Sequence, residues 1–367
     1  MAVAEPGLAP STGSPGGRAA SSTAAGRRRL RSALRRHPLV TGPLLTIVGL
    51  AALMVSLLAL TADDGIARYL VAAAAVVVLH VGVDVLAVRW FGPRFELGLW
   101  LSIAWLTLVV TGAAIADLLP LKESSDLSKA LLEPIEARPD VFSGHPLGTD
   151  AQGLDILGGI LYGGRVSLTI GVGAILIGVT VGLLVGVTAG YYRGRIDTAV
   201  SFLTDSVLAF PPLILLLAIA ATFTPSVTSV TLGLSMLAIP SYIRLTRADT
   251  LTFAQREFVL SARALGERDR DVILRELVPN VLLPVASFSF LLIAAFIVAE
   301  ASLSFLGLSV SRPNPTWGNM IAAGQDQFDE TPHLVFVPGA VLFLTVSSLN
   351  RLGEYARMRW DPREAKL

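Results

Sequence analysis

Cysteine is absent from this 367-residue chain, which excludes both a disulfide framework and a thiolate metal site. Lysine is nearly absent: Lys122, Lys129 and Lys366 are the only ones, and none follows a glycine-rich turn. A Walker-type phosphate loop needs a lysine beside glycine-rich backbone to hold the phosphates, so the chain has no such grip on a nucleoside triphosphate. Charge is also sparse. Only 16% of residues are Asp, Glu, Lys or Arg, and they sum to a formal net charge of +1.

What the chain has in quantity is apolar length. Hydrophobic residues make up 53% and the mean hydropathy is +0.65. Apolar runs recur at about 20 residues, the length a helix needs to cross a bilayer, and no soluble core requires so many. Hydropathy predicts eight spans, at 42–62, 66–88, 98–119, 166–190, 200–223, 227–243, 282–305 and 334–352. The fold class is therefore all-α, a polytopic transmembrane bundle. Residues 1–38, rich in Gly, Ser, Ala and Pro and then in Arg, read as a disordered basic tail. The first apolar run is too long for a signal peptide and lacks a convincing cleavage site, so it is expected to stay as a span.

Charge sets the orientation. The Arg-rich tail, Arg89 and Arg94, Arg193 and Arg195, the insert after residue 255 and the tail with Arg357, Arg359 and Arg363 all fall on one side. The positive-inside rule makes that side cytoplasmic, with both termini there. The opposite side receives the acidic loop 120–164, with Glu123, Asp126, Glu133, Glu136, Asp140, Asp150 and Asp155.

The insert on the basic side, REFVLSARALGERDRDVILRELVPNVLLP from Arg256 to Pro284, is charged and helix-prone. Phe258, Ala262 and Leu265, with Val259 nearby, share a helical spacing among Arg256, Glu257, Arg263, Glu267 and Arg268. Gly266 ends or bends the short helix, and Pro279 and Pro284 fix the entry into the next span. The pattern fits a solvated loop or a docking helix, and the small residues Ser261, Ala262 and Ala264 favour close approach by a partner.

Three other patterns stand out. Ala174, Gly178, Gly182, Gly186 and Gly190 recur every four residues, one smooth stripe on one helix face. It suits packing within the chain or against a second membrane chain. His145, Gly148, Thr149, Asp150 and Asp155 form a segment that reads as a surface turn, capped by Thr149 or Asp150 ahead of a short interfacial helix; a metal or proton site is the lesser reading. His80 and Asp84, one turn apart in the second span, are expected to form a structural polar contact or a partner contact, with proton handling the lesser reading, and Asp205 and Glu300 are candidate buried charges in the core.

Four ordered blocks carry a family resemblance: HPLGTDAQGLDILGGILYGGRVSLTIGVG from His145, IPSYIRLTRADTLTFAQREFVLSARALGERDRDVILRELVPN from Ile239, EASLSFLGLSVSRPNPTWGNM from Glu300 and LNRLGEYARMRWDPR from Leu349. The chain resembles permease subunits of binding-protein-dependent ABC importers, in the dipeptide, oligopeptide and nickel branch, from roughly residue 98 to 363. The second block looks like the family's cytoplasmic EAA loop. Aligned on Gly266 and Pro279, the EAA triplet falls on Leu260, Ser261 and Ala262, so the usual acid is missing at Leu260 while Glu257 stands one turn earlier. Leu154 stands where this branch usually has Arg, and Glu276 where His is common.

The resemblance implies a type I importer core of residues 93–119 and 165–356, with the extracytoplasmic loop 120–164 and a coupling loop at 244–281. Residues 39–92 form an added hairpin and 357–367 a cytoplasmic tail. Glu257, Ser261, Ala262, Arg263, Ala264, Leu265 and Gly266 would form the helix that enters a cleft on an ATPase subunit. His145, Gly148, Thr149 and Asp150 would lie on the outer face near a docked binding protein, with Trp317 and Pro315 as interfacial anchors. The implied partners are a second homologous permease, two ATPase subunits, an extracytoplasmic substrate-binding protein and the lipid of the inner membrane, with no nucleic acid. No cofactor or metal is expected on this chain, since ATP is used by the partner subunits, and the chain is no enzyme. The solute would be a di- or oligopeptide, or alternatively nickel or another small solute. An ion-driven secondary transporter would explain the spans, but not the charged insert.

Overall fold

The computed structural model describes residues 43–52, 65–92, 95–121, 123–124, 126–130, 133–140, 144–310 and 314–360. Among them the regular structure is helical, with one isolated bridge between Thr149 and Asp155. The expected disordered tail 1–38, the closing tail from residue 361 and the latter part of the first expected span lie outside the described residues. Contacts divide the chain into two units, Met1–Gly98 and Leu99–Leu367.

In the first unit, α1 (Pro43–Ala52) lies against α2 (Gly65–Phe91). A Cβ built at Gly49 would stand 2.5 Å from the Leu79 backbone nitrogen, and one at Gly82 would stand 2.5 Å from that of Thr46. The two helices therefore touch backbone to backbone, as small residues permit in apolar surroundings.

The second unit is built on α4 (Ile156–Tyr192) and α7 (Val227–Phe253). The glycine stripe faces α7 of the same chain. A Cβ at Gly178 would lie 2.6 Å from the Ala238 Cβ, one at Gly182 would collide with Tyr242, and one at Gly186 would collide with Thr246. At Gly190 the obstacle is the Arg247 carbonyl, 2.9 Å away. Because the backbones meet, the Thr246 hydroxyl reaches across to the Gly182 carbonyl at 2.7 Å.

Around this pair, α9 (Asp269–Phe305) packs on both helices, and α11 (His333–Trp360) packs on α9. The Tyr242 hydroxyl donates to Ser289 Oγ at 2.7 Å, and its ring meets Phe288 edge-on, which joins α7 to α9. α3 (Leu97–Ile115) is tied to α11 by the Trp105 indole N–H, which donates to Thr345 at 3.1 Å.

Eight spans were expected. Among the described residues five helices are long and apolar enough to cross a membrane, or six if one bent pair counts as a single span. The bent pair corrects the expected span 200–223. It is α5 (Gly194–Leu208) and α6 (Pro212–Thr222), which meet at 82° because Pro211 and Pro212 follow one another at the junction. α7 forms over the expected 227–243 and runs ten residues further, but it is too polar for the apolar class. Its polarity has a use, since Ser235, Thr246 and Thr250 are buried and bond to carbonyls. α4 starts ten residues before the expected span, capped by Asp155, whose carboxylate accepts from the Gly158 N–H at 2.8 Å.

Substituting into the stripe separates fit from helix propensity. Gly186→Ala should destabilise the purified protein by about 1–3 kcal/mol through overpacking, because backbone as well as Thr246 blocks the new methyl. Gly339, on α11, has nothing within 4 Å of an added Cβ, so Gly339→Ala should be neutral or stabilising by up to about 1 kcal/mol. Thermal unfolding in detergent measures both, and equal shifts would contradict the packing account.

Candidate functional site

The charged insert forms α8 (Glu257–Ala264), and the helix is sharply two-faced. Val259 and Ala262, one turn apart, are 0% and 8% exposed, and they pack with Val272, Leu277, Phe253 and Ala254 in the main apolar cluster. On the other face Leu260 and Leu265 are 51% and 85% exposed, beside exposed Glu257, Ser261, Arg263 and Ala264. Six of the seven residues expected on a docking surface thus face outward, Gly266 included. Ala262 does not: a short helix needs an anchor on its own bundle, and the Val259–Ala262 turn supplies it.

Gly266 ends α8 for a definable reason. Its φ is +83°, its N–H donates to the Arg263 carbonyl at 3.0 Å, and the Glu267 N–H donates to the Ala262 carbonyl at 3.1 Å. That is a Schellman closure, whose left-handed position favours glycine. Beyond it, α9 starts with a short α-helical turn at Asp269–Asp271 and passes into a π-helical turn at Val272–Leu277, whose Val272 and Leu277 form the floor under α8. The helix then runs unbroken through Pro279 and Pro284, where re-entry after the prolines was expected.

Two contacts here escaped the sequence reading. The Arg263 guanidinium lies over the ring of Tyr191, 4.6 Å from its centroid, and the Tyr191 hydroxyl donates to Asp269 Oδ1 at 2.6 Å. Tyr191 stands at the end of α4, 72 residues from Arg263 and 78 from Asp269 by number, so no local pattern announced it.

Beside the start of α8 a cavity of about 400 Å³ opens between α7, α9 and α11. Asp249, Arg256 and Arg357 bring charge of both signs to it, and Phe253, Phe288 and Trp360 bring apolar wall. Asp205, expected to be buried, is 64% exposed on α5 and pairs with Arg244 of α7 at 2.6 Å. A second pair, Arg247 with Asp197, joins α5 to α7 through two hydrogen bonds. His80 and Asp84 lie half-buried on α2.

At the other end of the bundle, the segment expected to be a surface turn is a folded loop. His145 and Thr149 are buried. The His145 ring lies between two carboxylates, Nδ1 3.1 Å from Asp155 and Nε2 3.1 Å from Glu133. Thr149 donates to the Pro134 carbonyl at 2.5 Å and accepts from the Ala137 N–H at 2.9 Å. Gly148, at φ +86°, leaves room for the Ala137 carbonyl. Asp150 receives the N–H groups of Gln152 and Leu154 at 2.8 and 3.0 Å. The helix cap is Asp155, not Thr149 or Asp150, and it caps α4 itself where a short interfacial helix was expected.

Two neighbours complete this end. Trp317, expected as an interfacial anchor, is 0% exposed: it opens α10 (Trp317–Gly324) and donates its indole N–H to the Ile160 carbonyl at 3.0 Å. Gly163 and Gly164 form the notch that admits it. Glu300, buried as expected, receives hydroxyl hydrogen bonds from Ser167, Ser304 and Ser309 at 3.2, 2.8 and 2.9 Å.

Replacing Thr149 by Val keeps its shape and removes both of its loop bonds. The loop should lose about 1–3 kcal/mol of local stability, the cost of buried groups left unmatched. Amide exchange should quicken at Ala137 and stay unchanged in α7; unaltered exchange at Ala137 would contradict the assignment of Thr149 as the loop's staple.

Comparison with known proteins places these parts in one family. Residues 178–362, which take in α7, α8 and α9, match the family model of the binding-protein-dependent transport system inner membrane component. The glutathione transport system permease protein GsiD of Pectobacterium atrosepticum is 35% identical over 221 residues, 60% of this chain and 73% of that protein. The proteins of the same name from Escherichia coli O6:K15:H31 and Shigella sonnei are 36% identical over 219 residues, 60% of this chain and 72% of each. With an apolar helical bundle, a projecting two-faced helix and a match over half its length, this chain belongs to the inner-membrane permease components of binding-protein-dependent ABC importers, in the dipeptide, oligopeptide and nickel branch.

Proposed function

We propose that this permease moves di- or oligopeptides inward across the membrane, and that α8 is the helix through which separate ATPase subunits drive it. The observation that carries this reading is the build of α8: an exposed face with Leu260 and Leu265, closed by Gly266 and pinned from behind through Val259 and Ala262. A merely solvated loop has no need to expose two leucines on a rigidly anchored turn. A docking helix needs both features, because a contact transmits motion only as far as its base is stiff.

The remaining parts follow from that role. The basic residues around α8 put its end of the bundle in the cytoplasm under the positive-inside rule, with both termini on that side. The folded loop around His145, Gly148, Thr149 and Asp150 then faces outward, where a substrate-binding protein delivers solute. A second, homologous permease completes the pathway, and two ATPase subunits take up ATP, for which this chain has no Walker lysine. The domain layout is the one read from the sequence, with residues 39–92 as an added membrane hairpin.

Two observations support a peptide as the solute. The relatives carry the name of glutathione transport, and glutathione is a tripeptide. The cavity beside α8 combines an acid and two guanidinium groups with aromatic wall, a lining suited to a zwitterion.

The two faces of α8 give opposite expectations under mutation. Leu265→Arg should leave membrane level and thermal stability unchanged while abolishing uptake of labelled dipeptide and of glutathione, together with retention of the ATPase subunits on purification. Ala262→Arg should instead unfold the α8 region, since about 2 kcal/mol or more follows from forcing an unpaired charge into an apolar cluster. Full ATPase retention by Leu265→Arg would rule α8 out as the docking helix.

A further inference from the structure

The linkers on either side of α8, Ala254 to Arg256 and Leu265 to Arg268, are backbone turns and not helix, so side-chain contacts add to the stiffness of its base. One of those contacts comes from Tyr191. It follows Gly190, the last glycine of the stripe, and so stands where α4 is still clamped to α7. It is 9% exposed. Its ring carries the Arg263 guanidinium of α8, and its hydroxyl bonds the Asp269 carboxylate at the first turn of α9. Cation over ring face and hydroxyl to carboxylate are both electrostatic contacts with defined geometry. Tyr192, beside it, meets the Tyr191 ring edge-on at 5.1 Å and is 50% exposed.

We propose that Tyr191 is a positioning residue that makes the end of α4, α8 and the start of α9 move as one body during the transport cycle. The proposal rests on α8 being the ATPase-docking helix. In this arrangement a push on the exposed face of α8 does not swing the helix on its linkers. It passes through Arg263 and Tyr191 into α4, which shares its backbone contact with α7, and through Asp269 into α9. Arg263 thus serves both sides, its helix facing the partner while its guanidinium rests on the tyrosine.

Native absence of cysteine makes a direct test practical. In the full complex, spin labels at Thr188→Cys on α4 and Glu267→Cys just beyond α8 should report one narrow distance, the same without nucleotide and in the vanadate-trapped state. Tyr191→Phe keeps the ring beneath Arg263 and removes the hydroxyl bond; membrane level and ATPase retention should hold, while the distance broadens and shifts between the two states. Asp269→Ala should do the same, and the double variant should be no worse than either single one. A distance in Tyr191→Phe as narrow and as constant as in the parent, or additive effects in the double variant, would overturn the proposal. If Tyr191→Phe is silent while Leu265→Arg still releases the ATPase subunits, the link through Tyr191 fails and the docking reading stands. If neither variant has an effect, both fail.

Discussion

Two helices that meet backbone to backbone have little freedom to slide or tilt against one another, and α4 and α7 meet in this way along four glycines. Where the nearest atoms across the contact are backbone or Cβ, no rotamer change can make room, so the pair behaves as one stiff beam. Thr246, fully buried, donates across the seam to Gly182. The other elements of the second unit are placed by reference to this beam: α9 through Tyr242, α5 through Asp197 and Arg247, and α10 through the Trp317 indole on α4.

Many hydroxyls in this bundle bond back within their own helix, but the buried polar groups Glu300, His145 and Thr246 bind separate elements together. Glu300 gathers three serines from α4, α9 and the loop after α9, and His145 gathers two carboxylates, Glu133 and Asp155, from well-separated points of the chain. Such groups are costly in an apolar setting unless matched, and here each is matched by neighbours. The chain therefore has a hydrogen-bonded folded loop at one end, a stiff central pair of helices and, at the opposite end, a short helix pinned on two sides. That is a form suited to transmitting displacement along the chain.

Much of this was legible beforehand. Hydropathy located the long helices, the four-residue glycine period marked the seam, and Gly266 marked the end of α8. What escaped had physical causes. The Pro211–Pro212 break hid inside a continuous apolar run, and Asp205, read as a buried charge, is instead exposed and paired with Arg244 of the neighbouring α7. α7 continues past Ile243 through polar residues, of which Thr246 and Thr250 are buried against the rest of the chain, so hydropathy underrated its length. Helical spacing grouped Phe258, Ala262 and Leu265 on one face, but the structure turns Val259 and Ala262 inward, because the floor supplied by the π-turn of α9 cannot be read from α8 itself. Tyr191 and Trp317 act on partners far away in number, beyond any local pattern. The four family blocks carried the family assignment, which no composition or periodicity could have given.

The central claim is that α8 offers one face to an ATPase subunit and keeps the other on its own bundle. A single-cysteine scan of residues 257–266 in this naturally cysteine-free chain, cross-linked in membranes to the co-expressed ATPase subunit, tests it directly. Cross-links should form at 257, 260, 261, 264 and 265 and fail at 259 and 262. Cross-linking at 259 and 262 as strong as at 260 and 265, or none anywhere along α8 while another exposed loop at that end reacts, would contradict it.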